Sequence, residues 1–266
     1  MIKFFRHIRK RLIGENRFSK YLLYAMGEII LVVFGILIAL QINNWNTNRV
    51  QNKKEAIYIA NIKRDLNEQL KTIESQIDYE RNINKVASPI ITNYKTNQSF
   101  KVDSLFTVSI GILTGRRTFV KNTPTYTELI SSGNIDIISN NIIKDEIIKY
   151  YQELERVELV INKNNNLYTD AVFITEMIGL SEIQIKGEFD IPELTHFIQS
   201  ESIPLVDLNE PILKEITKSQ LKDPEKTLKF INSLNFRNFI AKLHLYLMNN
   251  QKKYTEQLLE KVESEY

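Results

Sequence analysis

The chain has 266 residues, 43% hydrophobic and 25% charged, a balance that excludes a wholly disordered or collagen-like polypeptide and fits one or two domains. Thirty-five Lys and Arg against 32 Asp and Glu leave a formal charge of +3, too small to indicate a nucleic-acid binder, so no nucleic-acid partner is expected. The absence of Cys removes disulfides, thiolate metal sites and Cys nucleophiles, and eight Gly with six Pro favour long regular elements.

The first element runs from Tyr21 to Ile42, YLLYAMGEIILVVFGILIALQI, with Glu28 as its one charged residue. As a helix it spans ~33 Å, enough to cross a bilayer. Lys3, Arg6, Arg9, Lys10, Arg11, Arg17 and Lys20 precede it with only Glu15 opposing, whereas Arg49, Lys53 and Lys54 are the cations just beyond. That asymmetry predicts a cytoplasmic tail at 1–20, a transmembrane signal anchor at 21–43 and an extracytoplasmic domain at 44–266. The expected location is the inner membrane, crossed once, with the C-terminal domain periplasmic. A cleavable signal peptide fits less well, because Ile38-Ala39-Leu40-Gln41-Ile42 lacks a small-x-small site. Arg17 and Lys20 at one end and Trp45 at the other are the expected interfacial anchors. Phe4, Phe5, Ile8, Leu12 and Ile13 recur at helical spacing, so an interfacial helix and a plain basic leader both remain open.

Glu28 is costly in hydrocarbon. It can snorkel toward the headgroups, or it can face another helix: Gly35 lies seven residues on and Ala39 four further, so Glu28, Gly35 and Ala39 share a stripe on which a second helix can approach. The expected partners are therefore the lipid bilayer and a protein partner, or a second copy, engaged through this helix.

The stretch Phe18 to Asn46, FSKYLLYAMGEIILVVFGILIALQINNWN, resembles the anchor of an uncharacterised single-pass membrane family of flavobacteria and their relatives. Thr125 to Asn134, TYTELISSGN, is similar to that family's Tyr-x-Glu-Leu-x-x-Ser-Gly turn. The family carries no established activity, so the resemblance implies topology and lends no catalytic residue.

Beyond Trp45, Ile59, Ile62, Leu66, Leu70, Ile73 and Ile77 recur every three or four positions and predict an amphipathic helix running from the membrane to about Ala87, before Pro89. Asp103 is placed to cap a helix through Leu113, and Thr123-Pro124 to open one that Gly133 closes. Asn140 or Asn141 begins a helix carrying Ile143, Ile147, Tyr150, Leu154, Val157 and Ile161. The Asn-rich run 162–166 reads as the solvated face of its continuation, because Ile161 and Leu167 keep the helical phase. Around Gly187, residues Ile183, Ile185, Phe189 and Ile191 alternate, so 179–208 form either a hairpin or an ordered loop. Asp223-Pro224-Glu225 starts a last helix with Leu228, Ile231, Ile240, Leu243, Leu247, Tyr254, Leu258 and Val262. The expected fold is mainly α: a transmembrane helix followed by an extracytoplasmic helical bundle with a long membrane-proximal helix.

Chemistry is sparse. Of three His, His196 closes a Glu193-x-x-His196 pair, half of a di-iron signature whose second copy is missing, and His244 reads as a partly buried packing residue beside Leu243 and Leu247. Ser131-Ser132-Gly133 lacks the frame of a nucleophile elbow, and Gly111 and Gly115 lack a phosphate-loop ending. Glu153, Glu155 and Glu158 read as a solvated helix face, and Arg116-Arg117 as an exposed basic pair open to an acidic partner. No catalytic, cofactor or metal residue is assigned. The function expected is a non-enzymatic scaffold or adaptor, or a subunit of an envelope assembly; the alternative is a ligand-sensing module working through a partner membrane protein.

Overall fold

The computed structural model describes residues 18–184 and 210–266, which are helical with no β-strand among them. Helix α1 spans Phe18–Asn97, α2 Ser104–Thr114, α3 Pro124–Ser131, α4 Asn141–Asn164, α5 Thr175–Leu180, α6 Pro211–Gln220 and α7 Pro224–Glu265; a π-helical segment, Asn165–Ile174, joins α4 to α5. Two compact units divide the chain, Met1–Tyr58 and Ile59–Tyr266.

In the first unit α1 is long and apolar enough to cross a membrane, and its large apolar side chains, Leu22, Leu23, Met26 and those from Ile29 to Ile42, are exposed. In the second, three helices pack along seams of one repeat. On α1 the buried positions Ile59, Ile62, Leu66, Gln69, Ile73, Gln76, Glu80, Ile83 and Ala87 alternate by three and four. Helix α4 buries Ile143, Ile147, Tyr150, Leu154, Val157, Ile161 and Asn164 in the same rhythm, and α7 does so from Phe230 to Val262. A period of 3.5 keeps a stripe facing its neighbours along the whole length, as in coiled coils. Helix α7 is antiparallel to both others: Tyr150 meets Thr255 at 2.9 Å and Lys261 meets Glu146 at 2.5 Å, while Glu74 meets Lys252 at 2.7 Å and Asn84 meets Asn238 at 2.8 Å.

Local signals explain most boundaries. Asp103 accepts from Phe106 N–H, Asn140 from Ile142 and Ile143, and Asp223 from Glu225 and Lys226, each satisfying free donors of a first turn. Gly133, at φ +69°, ends α3 in a Schellman turn, with Asn134 N–H bonded to Leu129 and Gly133 N–H to Ile130. Pro89, expected to mark the end of the first amphipathic helix, lies inside α1 instead. It removes only the hydrogen bond to Lys85, both residues are exposed so water can take that carbonyl, and Ile83, Ala87, Ile90 and Ile91 pack the other face.

The Asn-rich run is also corrected: the chain stays helical there, but Asn164 and Asn165 are buried and Leu167 is exposed. The cause is the wider π turn, along which Asn165, Thr169, Phe173 and Met177 are buried at intervals of four. Of residues 179–208, α5 ends at Leu180 and residues 182–184 continue without helix, with Gln184 N–H bonded to Thr107; residues 185–209, and with them most of the proposed hairpin or loop, lie outside the described residues.

Candidate functional site

The apolar stretch of α1 presents the predicted contact stripe. Glu28, Gly35 and Ala39 fall within about 40° of one another around the helix. Gly35 and Ala39 are exposed, Glu28 is half-buried, and a Cβ added at Gly35 would meet nothing within 4 Å. Trp45 is exposed and the guanidinium of Arg49 lies 5.5 Å from its ring centroid, so an amphipathic aromatic and a cation share one patch a helical turn apart. Arg17 and the side chain of Lys20 lie outside the described residues.

The second unit hides a polar layer where its three seams meet. Glu80 Oε1 accepts from Gln76 Nε2 at 2.9 Å and pairs with His244 Nδ1 at 2.9 Å, while His244 Nε2 lies 3.3 Å from Asn164 Nδ2. Glu80 and His244 are 1% and 0% exposed, so His244 is a fully buried network residue rather than the partly buried packing residue expected. The arrangement fits the imidazole tautomer that donates from Nδ1 and accepts the Asn164 amide at Nε2. Nearby, buried Arg237 donates from Nε to the Leu113 carbonyl at 3.1 Å and from Nη2 to Gly115 at 3.0 Å, closing the carbonyl end of α2 with a cation. The Tyr79 hydroxyl, beside this guanidinium, is pushed well above the ordinary phenol range by burial.

Residues 115–123 cross this layer as an extended strap whose backbone is held by helix side chains. Asn165 Nδ2 donates to Arg117 O at 2.9 Å, Asn162 exchanges two bonds with Phe119 at 3.3 and 3.1 Å, and Lys121 N–H donates to Glu158 at 3.0 Å. Positions 158, 162 and 165 on a helix therefore meet 121, 119 and 117 on an extended chain, doing what a neighbouring strand would do. On the other side Gln69 accepts from Asn122 N–H at 2.6 Å, and the buried Asp65 carboxylate accepts from Thr125 N–H at 3.0 Å in the first turn of α3.

Two surface assignments change accordingly. Glu155 and Glu158 clamp Lys121 at 2.9 and 3.1 Å and hold its ammonium above the ordinary lysine range, chiefly through the Glu155 bond. Arg116 pairs with Asp170 at 2.9 Å. Sequence reasoning missed Asp65, Gln69, Gln76 and Glu80 as core residues, although they share the three-and-four rhythm of their apolar neighbours. Among the described residues no three His, Asp or Glu side chains form a group able to hold a metal, and Glu193 and His196 lie outside those residues.

A family model described as a family of unknown function (DUF6090) matches residues 28–179, more than half of the chain. The chain belongs to that family. The match takes in Glu28, Gly35, Ala39, Trp45, the strap and α3, and stops short of α7. No curated protein and no solved structure matches.

Proposed function

We propose, with membership of that family as the premise, that the protein is a non-enzymatic membrane-anchored scaffold or adaptor, or a subunit of an envelope assembly, that recruits its partner through the apolar stretch of α1. The observation that carries this reading is a helix whose large apolar side chains, Leu22, Leu23, Met26 and those from Ile29 to Ile42, are exposed, a state that costs roughly 25 cal/mol per Å² in water and nothing of the kind in a bilayer. A Cβ added at Gly35, in the middle of the stripe of Glu28, Gly35 and Ala39, would meet nothing within 4 Å, which supports close approach of a second backbone there. The charge asymmetry around the span supports a topology with residues 1–20 in the cytoplasm and the helical domain on the periplasmic side of the inner membrane.

Photo-crosslinking in membranes tests the stripe. Gly35→Leu should lower the yield of a crosslinked complex, Val33→Leu on another face should leave it unchanged, and Glu28→Gln should weaken association by about 1 kcal/mol. Equal yields for all three variants would reduce the helix to a lipid-facing anchor. Orientation is read from a reporter fused after Tyr266: a phosphatase active only outside the cytoplasm should work, and bright fluorescence from a protein that matures only in the cytosol would reverse the topology.

A further inference from the structure

Opposite its buried seam, α7 carries an outward groove of about 570 Å³ lined by Asn232, Asn235, Phe236, Asn238, Phe239 and Lys242. Its volume is that of a small-ligand site, in the range of roughly 300–1,000 Å³. The lining is held in place. Tyr168 packs edge-on against Phe236 at 5.0 Å, and Phe236 lies 5.9 Å from Phe239, so two exposed rings form one platform. Asn238, 6% exposed, accepts from Asn84 through Oδ1 at 2.8 Å, which fixes its amide and leaves its N–H groups uncommitted. Asn232 and Asn235 make no side-chain hydrogen bond, and Lys242 no ion pair, within the described residues.

Three amides on one groove present donors and acceptors side by side, the pattern that adjacent sugar hydroxyls, each both donor and acceptor, satisfy. The partly exposed rings of Phe236 and Phe239 offer apolar surface to the flat C–H face of a pyranose. A purely apolar ligand would desolvate the three amides without compensation. A phosphate-rich ligand calls for several cations or a nest of backbone N–H groups, and the groove offers one ammonium. We propose that this groove binds an oligosaccharide, and that Lys242 selects one carrying a carboxylate. The site stands on α7 and its neighbours alone, so it holds whether or not the scaffold reading does.

The test uses the full chain in a sugar-free detergent, with tetragalacturonate, chitotetraose and cellotetraose as probes and saturation-transfer NMR as the readout. Saturation of aromatic protons should pass to sugar ring protons, most strongly for tetragalacturonate. Phe239→Ala and Asn235→Ala should each weaken binding about tenfold. Lys242→Gln should weaken tetragalacturonate binding alone. These are exposed positions, so an unchanged thermal midpoint accompanies each loss. Absence of transfer to all three sugars, or transfer that survives both Phe239→Ala and Asn235→Ala, would overturn the proposal. So would occupation of the groove by an acidic amphipathic helical peptide and by none of the sugars, which would make it a protein-docking face.

Discussion

Asp103 and Glu80 show what surroundings make of a carboxylate. Asp103 sits at the surface as the cap of α2, held below the ordinary carboxylate range first by the Phe106 N–H and then by Lys101. A depressed folded value means its contribution is present above the ordinary range and fades as pH falls through the folded value. Asp103→Ala should therefore cost about 1 kcal/mol at neutral pH, a difference that shrinks below about pH 4 in denaturant titrations. Glu80 is enclosed, and its partner His244 cannot be removed without stranding it. His244→Ala should cost about 3 kcal/mol, whereas Glu80→Leu combined with His244→Leu should cost much less than the two single changes together, which chemical denaturation of all three variants measures. His244 was legible as a residue near the core; its partners were not, since Glu80 is 164 residues away in sequence.

Among the elements, helix starts were legible because caps are local. The starts of α2, α4 and α7 follow from Asp103, Asn140 and Asp223, whose partners lie two or three residues on. Helix α3 differs: Thr123, in the cap position, makes no capping bond, and Asp65 supplies one from α1. Asp65→Ala should accordingly destabilise by about 2 kcal/mol in urea melts, since it strands a buried N–H, while Thr123→Ala costs a small fraction of that. The strap was illegible for the same reason, as an extended segment without periodicity whose partners on α4 and the π-helical segment lie 37 to 48 residues downstream. The misread of Pro89 has the opposite cause: a strong local breaker was outweighed by packing on the far face of the helix.

At the scale of the whole molecule, two aromatic groups bracket the polar layer. Tyr94, Phe100, Phe106 and Phe230 pack face to face and edge to face at one end, Tyr126, Tyr150, Tyr151 and Tyr254 at the other. Burial pushes the Tyr150 phenol up to about 12 and raises Tyr79 and Tyr151 as well. A folded value above the unfolded one, about 10, means this stability is complete below pH 10 and lost as pH climbs through the folded values. Circular dichroism should show the bundle intact at pH 10 and unfolding above about pH 12, with phenolate absorbance of the buried rings rising in step with the loss of helix. The mainly helical architecture and the apolar N-terminal helix were legible because periodicity and length are read along the chain; the polar layer was not, because it exists only where three distant seams meet.

The pairing of α1 with α7 also sets a schedule for synthesis. Glu80 leaves the ribosome long before His244, and at ~5–20 residues per second their separation of 164 residues amounts to roughly 10 to 30 s. Until then the nascent chain carries Ile59, Ile62, Leu66, Ile73 and Ile83 beside an acid that lacks its imidazole partner, a surface whose covering α7 alone completes. Premature termination anywhere before α7 thus leaves the face incompletely sealed, so truncated chains are the form of this protein most exposed to aggregation and to proteolytic clearance.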